Sequence, residues 1–257
     1  MIEIALVDAF AHLPFTGNPA GVCLLDDPLD EVLMQNIAME MNQAETAFCW
    51  PEGSGFRLRW FTPTVEVELC GHATLATAHR LFETSGATTF RFQTLSGELR
   101  VTRSEKEYHL EFPAFLVAPE GLPNDVPGLD NALFVGSTGL DWLVQLDTEK
   151  AVREFQPDLA AIASIGKRAL MVTAPGSNGT DFVSRLFGPN VGIAEDPVTG
   201  SSHCALAPYW SKKIGKAEML GYQASRRGGF VRCQWSGGDR VTLIGQAKTV
   251  LVGHLTI

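Results

Sequence analysis

The sequence predicts an α+β protein built from two similar domains that arose by internal duplication. Arg59–Val65 reads Arg-x-Phe-x-Pro-x-Val, and Arg185–Val191 repeats this pattern 126 positions later. A glycine then opens an Ala-rich segment at Gly71 and again at Gly200, 129 positions apart. Both offsets are close to half of the 257 residues, as the duplication of one domain requires.

Hydrophobic periodicity and turn residues define the elements of the first half. Ile2, Ile4 and Leu6 alternate along one face, which predicts a strand over 2–10, and Thr16–Pro19 has the composition of a turn. Asp30 is suited to cap a helix that runs to about Met41. The other predicted elements are strands over 21–25, 46–50, 56–61, 88–93, 97–102 and 108–112, and a helix over 71–82.

The second half repeats this order of elements. It is predicted to contain strands over 133–135, 142–146, 169–173 and 182–187, a helix over 157–165 and a helix from Gly200. Each half is therefore strand-rich with one long and one shorter helix, which indicates a mixed or antiparallel sheet wrapped around a central helix. Three prolines mark residues 117–128 as a linker between domains 1–116 and 129–257. The last strand could pair with the first domain.

Composition and charge exclude several classes of protein. A hydrophobic content of 45% with 19% charged residues indicates a folded core. The net charge is −9 and no run of Lys and Arg occurs, so nucleic acid is not an expected partner. No apolar stretch approaches the ~18 residues of a membrane span, and residues 1–10 are predicted to form a strand rather than a signal peptide. Five cysteines without a Cys-x-x-Cys motif argue against a disulfide framework and favour the cytoplasm.

The two glycine-started helices suggest a binding site for an anion. Free N–H groups and the positive end of the helix dipole attract a carboxylate to a helix N-terminus. If both termini faced one cleft, a small carboxylate could lie between them, although each glycine could instead serve only a tight turn. No nucleotide-binding loop occurs, and the histidine spacings form no metal-ligand motif, so neither a cofactor nor a metal is expected.

Six motifs identify a resemblance that covers most of both halves. They are Asp8–Phe10, Thr16–Val22, Asn42–Phe48, Arg59–Pro63, Glu68–Thr74 and Glu195–His203. Their order and residues resemble the PhzF-like family, which is named for an isomerase of phenazine biosynthesis and shares its fold with diaminopimelate epimerase. The resemblance implies a diaminopimelate epimerase-like fold and an isomerase that commonly forms homodimers.

Glu45 is the first candidate for catalysis. Apolar neighbours flank it in the sequence, and desolvation of a carboxylate raises its pKa toward a range useful for proton transfer. An exposed glutamate at a helix end is the alternative interpretation. The resemblance implies that Glu45 is the general acid/base that moves a proton between two carbons, and that His72, Asp196 and Ser201 assist it or hold polar groups of the substrate.

Further residues of the matching motifs are expected to bind the substrate. These are Asn18, Cys70, Gly71, Gly200 and Ser202. The expected activity is a cofactor-independent isomerisation of a small carboxylate-bearing substrate in the cleft between the domains. The substrate's own conjugation would delocalise the transient charge.

The sequence is compatible with two other functions. Epimerases of this fold use two cysteines as opposed bases, and Cys70 occupies the position of the first. Its counterpart in the repeat is Thr199, whose hydroxyl is too weak a base to remove a proton from carbon. A non-catalytic family member that binds a small molecule or a protein is the second alternative, although a binding protein has no need of a desolvated base such as Glu45.

Overall fold

The computed structural model describes residues 1–257, and its first compact unit is a mixed sheet with a helix on each face. The strand pairs β2–β3 and β4–β6 are parallel, since helices α1 and α2 carry the chain back across the sheet between them. The pairs β1–β2, β3–β4, β6–β7 and β7–β8 are antiparallel. In chain order the elements are β1 (Ile2–Ala9), β2 (Asn18–Leu24), α1 (Glu31–Met41), β3 (Thr46–Glu52), β4 (Gly55–Phe61), β5 (Glu66–Val67), α2 (Gly71–Thr84), β6 (Thr89–Thr94), β7 (Gly97–Ser104) and β8 (Glu107–Pro113).

The second unit repeats this arrangement. Here β11 and β12 are parallel across α3 and α4, and β13 and β15 are parallel across α5. Its elements are β9 (Ala118–Pro119), β10 (Phe134–Ser137), β11 (Asp141–Gln145), α3 (Glu149–Glu154), α4 (Leu159–Ser164), β12 (Ala169–Pro175), β13 (Phe182–Gly188), a 3-10 turn (Pro189–Val191), β14 (Ile193–Asp196), α5 (Gly200–Ile214), β15 (Glu218–Gln223), β16 (Gly229–Gln234) and β17 (Arg240–Gly245). The final strand, β18 (Ala247–Leu255), pairs with β1 of the first unit.

The unit boundaries differ from those expected from the sequence. The first unit comprises Met1–Glu111 and Ile244–Ile257, and the second comprises Phe112–Leu243. Residues 117–128 were expected to form a linker, but they belong to the second unit, where β9 pairs with β10. The chain end joins the first unit because β18 runs antiparallel along β1 from Ala247 to Leu255.

The duplication is visible in two equivalent ion-pair clusters. Arg59 on β4 pairs with Glu66 on β5 at 2.6 Å, and its guanidinium lies 5.1 Å from the ring centre of Phe61. Arg185 on β13 pairs with Glu195 on β14 at 2.7 Å and lies over Phe187 in the same way. In each unit the arginine of the repeated Arg-x-Phe motif therefore links a short strand to its neighbour through an ion pair. The predicted fold class with internal duplication is confirmed.

The two faces of the first sheet are covered by different helices. Phe48 and Trp50 of β3 pack with Met34 and Ile37 of α1, whereas the alternate residue Ala47 lies on the opposite face. Helix α2 packs against β1, β2 and β3, and most of its residues are buried. The sheet therefore wraps around α2, which is the central helix of this unit.

Helix prediction was accurate for the long helices and incomplete for the short ones. Asp30 caps α1 as expected, because its carboxylate accepts hydrogen bonds from the N–H groups of Val32 and Leu33. The six-residue helix α3 was not predicted, since a segment of that length carries little periodicity. None of the helices has the length and apolar composition that crossing a bilayer requires.

Candidate active site

Glu45 lies at the point where the chain leaves α1 and enters β3. Helix α1 ends at Asn42, which adopts the left-handed conformation with φ of 49° and donates its N–H to Ala38 O. Two residues follow, and Glu45 O then accepts a hydrogen bond from the N–H of Gly21 at 3.2 Å. This bond fixes the backbone of Glu45 at the edge of the paired strands. Its side chain is 13% exposed.

The N-terminus of α2 brings two further predicted residues to the same place. Cys70 is the N-cap, Gly71 is the first helical residue and His72 is in the first turn. The side chains of Cys70 and His72 are both buried, at 6% and 4% exposure. Thr74 anchors this turn, because its N–H and its hydroxyl both donate to Cys70 O.

His72 contacts three of the predicted site residues. Its Nε2 lies 3.3 Å from Oε2 of Glu45. Its Nδ1 lies 3.3 Å from the side-chain amide nitrogen of Asn18 and 3.5 Å from the sulfur of Cys70. The structure thus gathers Asn18, Glu45, Cys70 and His72, which the sequence separates by up to 54 positions, around one imidazole ring.

The imidazole of His72 is electrically neutral near neutral pH. Its complete burial removes the ring from water and lowers the pKa of His72 from 6.5 to about 3. The amide nitrogen of Asn18 can only donate a hydrogen, so Nδ1 accepts and the ring proton lies on Nε2, facing Glu45. His72 therefore presents a neutral N–H to the carboxyl group of Glu45 rather than a positive charge.

A second group of predicted residues surrounds the end of β14. Asp196 is 6% exposed, and its carboxylate accepts a hydrogen bond from the hydroxyl of Thr199. The fully buried amide of Gln223 braces this loop, since it donates to Asp196 O at 2.8 Å and accepts from the N–H of Thr199 at 2.8 Å. Sequence reasoning missed Gln223 because it lies on β15, outside every matching motif.

Ser201 is held by an arginine that sequence reasoning also missed. Nη2 of Arg168 donates to the hydroxyl oxygen of Ser201 at 3.0 Å. The same guanidinium makes a two-pronged contact with the buried carboxylate of Asp141, with a 2.8 Å bond from its Nε. Because the oxygen of Ser201 accepts from Arg168, its own hydrogen remains available to donate.

We expect Asp141→Asn to weaken substrate binding without stopping catalysis. The change removes the negative charge that orients Arg168, so the hydrogen bond from Arg168 to the hydroxyl oxygen of Ser201 is weakened. The KM should rise about tenfold with little change in kcat, and the melting temperature should fall by an amount equivalent to roughly 1–3 kcal/mol. Steady-state kinetics and thermal melts measure both effects. Asp130→Asn, at an exposed aspartate of the same unit, is the control. A drop in kcat alone would contradict the positioning role.

The remaining predicted residues of the second unit lie in the first turn of α5. Gly200 begins the helix, and Ser202 and His203 follow within it. The hydroxyl of Ser202 donates to Thr199 O at 2.8 Å, and Nδ1 of His203 bonds the same carbonyl. The Ser202 hydroxyl is thus engaged in holding the turn, as the hydroxyl of Thr74 is on α2.

The two units differ at the position of the proposed base. Thr46 pairs with Phe61 in the first unit, and Leu170 pairs with Phe187 in the second. The residue preceding the paired residue is Glu45 in one unit and Ala169 in the other. The duplicated fold therefore carries one carboxylate at this position and not two.

Comparison with known proteins relates this chain to proteins that are named as isomerases. An isomerase of Halalkalibacterium halodurans, whose function is uncharacterised, is 45% identical over 99% of this chain and 98% of its own length. The crystal structure of a PhzF-family phenazine biosynthesis protein of Enterococcus faecalis has a TM-score of 0.93 at 41% identity, covering 100% of this chain and 99% of that one. The names of such relatives support an isomerase activity in the family.

A more distant structure extends the likeness of the fold. A hydroxyproline epimerase of Agrobacterium vitis has a TM-score of 0.66 at 11% identity, covering 98% of this chain and 91% of that one. At this identity only the fold is shared. The family model of phenazine biosynthesis-like proteins matches residues 7–253, which is nearly the whole chain. The protein therefore belongs to the family of phenazine biosynthesis-like proteins.

Proposed function

We propose that the protein is a cofactor-independent isomerase that moves a proton between two carbons of a small carboxylate-bearing substrate. Glu45 removes the proton from one carbon and returns it to another, acting first as a general base and then as a general acid. The substrate's conjugation delocalises the charge that forms between the two steps. Asp196 and Ser201 bind polar groups of the substrate, with the backbone N–H groups at the start of α5 supporting a carboxylate.

The contact between Glu45 and His72 carries this proposal. A carboxyl group that exchanges a proton with carbon must be able to exist in both its ionised and its protonated form. A neighbouring positive charge would stabilise only the ionised form. A protonated histidine 3.3 Å away would be such a charge, but burial keeps His72 neutral. The neutral ring of His72 therefore lies beside the carboxyl group of Glu45 without a positive charge that would hold it permanently ionised.

The main alternative is a cysteine-dependent epimerase, which needs two opposed thiols. Cys70 and Thr199 are the N-caps of α2 and α5, so they are equivalent positions of the two units. The hydroxyl of Thr199 donates to Asp196 and is too weak a base to remove a proton from carbon. The two-thiol mechanism lacks its second thiol, which favours the mechanism with Glu45 as the proton carrier.

We expect Cys70→Ser to keep much of the isomerase activity, within about tenfold of the unchanged enzyme. In the proposed mechanism the thiol packs beside the imidazole of His72 and takes no proton from the substrate. The measurement is turnover, with thermal melts to establish that the variant folds. Complete loss of turnover with an intact fold, together with deuterium entering the substrate's α-carbon from D₂O, would support the cysteine epimerase instead.

The experiment that tests the function is a substrate screen in D₂O. A panel of cyclic and acyclic amino and hydroxy acids, with and without conjugated double bonds, would be incubated with the enzyme and followed by proton NMR. We expect a conjugated member of the panel to change the position of its double bond and to gain deuterium at carbon. Binding of panel members with no exchange at any carbon would favour the non-catalytic alternative.

A further inference from the structure

Three different metal-binding side chains meet in the first unit. One donor atom each from Glu45, Cys70 and His72 lies within 4.8 Å of the others. The ligands of a tetrahedral zinc ion are roughly 3.3–3.8 Å apart, as bond lengths of about 2.0–2.3 Å require. The distance of 3.3 Å between Nε2 of His72 and Oε2 of Glu45 already falls in this range. The sulfur of Cys70 lies 3.5 Å from the other ring nitrogen, Nδ1, and has to turn toward Nε2 to share the ion. Small rotations of the side chains would complete it.

The imidazole of His72 supplies the second observation that points to a ligand. His72 is 4% exposed, and its buried Nε2, although 3.3 Å from Oε2 of Glu45, makes no well-aligned hydrogen bond. A buried polar atom without a hydrogen bond is costly, and a native structure usually provides it with a partner. Coordination through Nε2 would satisfy this atom and place the ring proton on Nδ1. The Asn18 side chain at Nδ1 can turn its carbonyl oxygen to accept that proton.

We propose that Glu45, Cys70 and His72 form a binding site for one thiophilic divalent cation, of which Zn²⁺ is the probe. One thiolate, one imidazole and one carboxylate leave a fourth position for water, as in catalytic zinc sites. The thiolate selects zinc over Mg²⁺ and Ca²⁺, which prefer oxygen ligands.

Charge and protonation fit this ion. The thiolate of Cys70 and the carboxylate of Glu45 together balance its two positive charges. Cys70 caps the N-terminus of α2, where the helix dipole favours a thiolate. The thiol releases one proton to solvent when the ion binds, so zinc affinity should fall as the pH is lowered.

The consequence for catalysis rests on the proposed function. A metal-bound carboxylate has its lone pairs engaged, so Glu45 could no longer remove a proton from carbon. Zinc would then be a reversible inhibitor of the isomerase, and a chelator would restore the activity. Binding itself does not depend on the reaction and can be measured without a substrate.

The test measures metal binding to the purified full chain after treatment with a chelator. Competition with a chromogenic indicator gives the zinc stoichiometry and affinity, and Co²⁺ serves as a spectroscopic substitute. We expect one Zn²⁺ per chain and, with Co²⁺, a thiolate-to-metal charge-transfer band in the near ultraviolet. Cys70→Ala should abolish the band and weaken zinc binding at least tenfold, and Glu45→Gln should weaken it with the band retained. Cys49→Ala, at another buried cysteine of the first unit, is the matched control that should keep both signals.

The possible outcomes separate the metal site from the proposed function. Absence of the cobalt band, or equal zinc affinity in Cys70→Ala and the unchanged protein, would overturn the metal site whatever the turnover. Zinc binding that depends on Cys70 in a protein that exchanges no carbon-bound proton would retain the metal site and refute the isomerase. Zinc binding with turnover unaffected would show that the ion does not engage Glu45 and would overturn the three-residue site.

Discussion

Glu45→Gln should lower turnover by at least ~10²–10⁴-fold, the usual contribution of one positioned general acid or base. The amide has nearly the shape of the carboxyl group but cannot accept and return a proton. Because one group performs both steps in the proposed mechanism, no second carboxylate replaces it: the equivalent residue of the second unit is Ala169. Turnover of a confirmed substrate in D₂O is the measurement.

The fold and the affinity for substrate should survive this substitution. The carbonyl oxygen of the substituted amide can still face the ring N–H of His72, and the backbone bond between Glu45 O and Gly21 does not involve the side chain. Thermal melts and substrate-binding isotherms check both points. Glu40→Gln, at an exposed glutamate near the end of α1, is the control and should turn over normally. Near-full turnover by Glu45→Gln at unchanged stability would refute the assignment and leave His72 or Cys70 as the proton carrier.

The fold was predictable because its signals are local or repeated. Asp30 is a capping residue before an apolar periodicity, and α1 begins one residue after it. The Arg-x-Phe motifs recur at a fixed offset, and the structure shows that each holds a short strand through an arginine–glutamate pair. Such features need no knowledge of how distant segments meet.

The boundary of the domains was less predictable because it depends on long-range pairing. Prolines in residues 117–128 suggested a linker, but a short strand within it, β9, pairs with β10. The final strand pairs along the first strand of the chain, and the sequence suggested a pairing with the first domain but not its partner strand or register. Neither pairing has a local signature, since a strand carries information about its exposed face but not about its neighbour.

The sequence suggested candidate residues for the site but not the side chains that contact them. Motif resemblance identified Glu45, His72, Asp196 and Ser201, but no spacing rule connects Ser201 to Arg168 or Arg168 to Asp141. That connection arises because Asp141 lies opposite Ala169 in the parallel pair of β11 and β12, which brings the side chain of Arg168 beside it. The cluster of Glu45, Cys70 and His72 was not predicted for the same reason, since Glu45 lies far in sequence from the N-terminus of α2.

The stability of the protein should fall steeply as the pH is lowered from about 6.5. Two histidines, His72 and His203, are fully buried, and desolvation lowers their pKa values from 6.5 to about 3 and about 4. Below pH 6.5 the unfolded chain binds protons at both side chains, but the folded protein does not until the pH nears those lowered values. The unfolded state is then favoured, so the stability present above pH 6.5 is lost progressively toward pH 4.

Each buried histidine should contribute up to about 1.4 kcal/mol per pH unit to the slope of unfolding free energy against pH. Urea unfolding at half-unit steps between pH 4.5 and 7.5 measures this slope. His203→Gln should remove the contribution of one buried histidine from the slope, because the amide can still donate to Thr199 O but does not titrate. His254→Gln, at an exposed position on β18, is the control and should leave the slope unchanged. An identical slope in His203→Gln and the unchanged protein would mean that His203 gains its proton as readily when folded as when unfolded, which its burial at the start of α5 opposes.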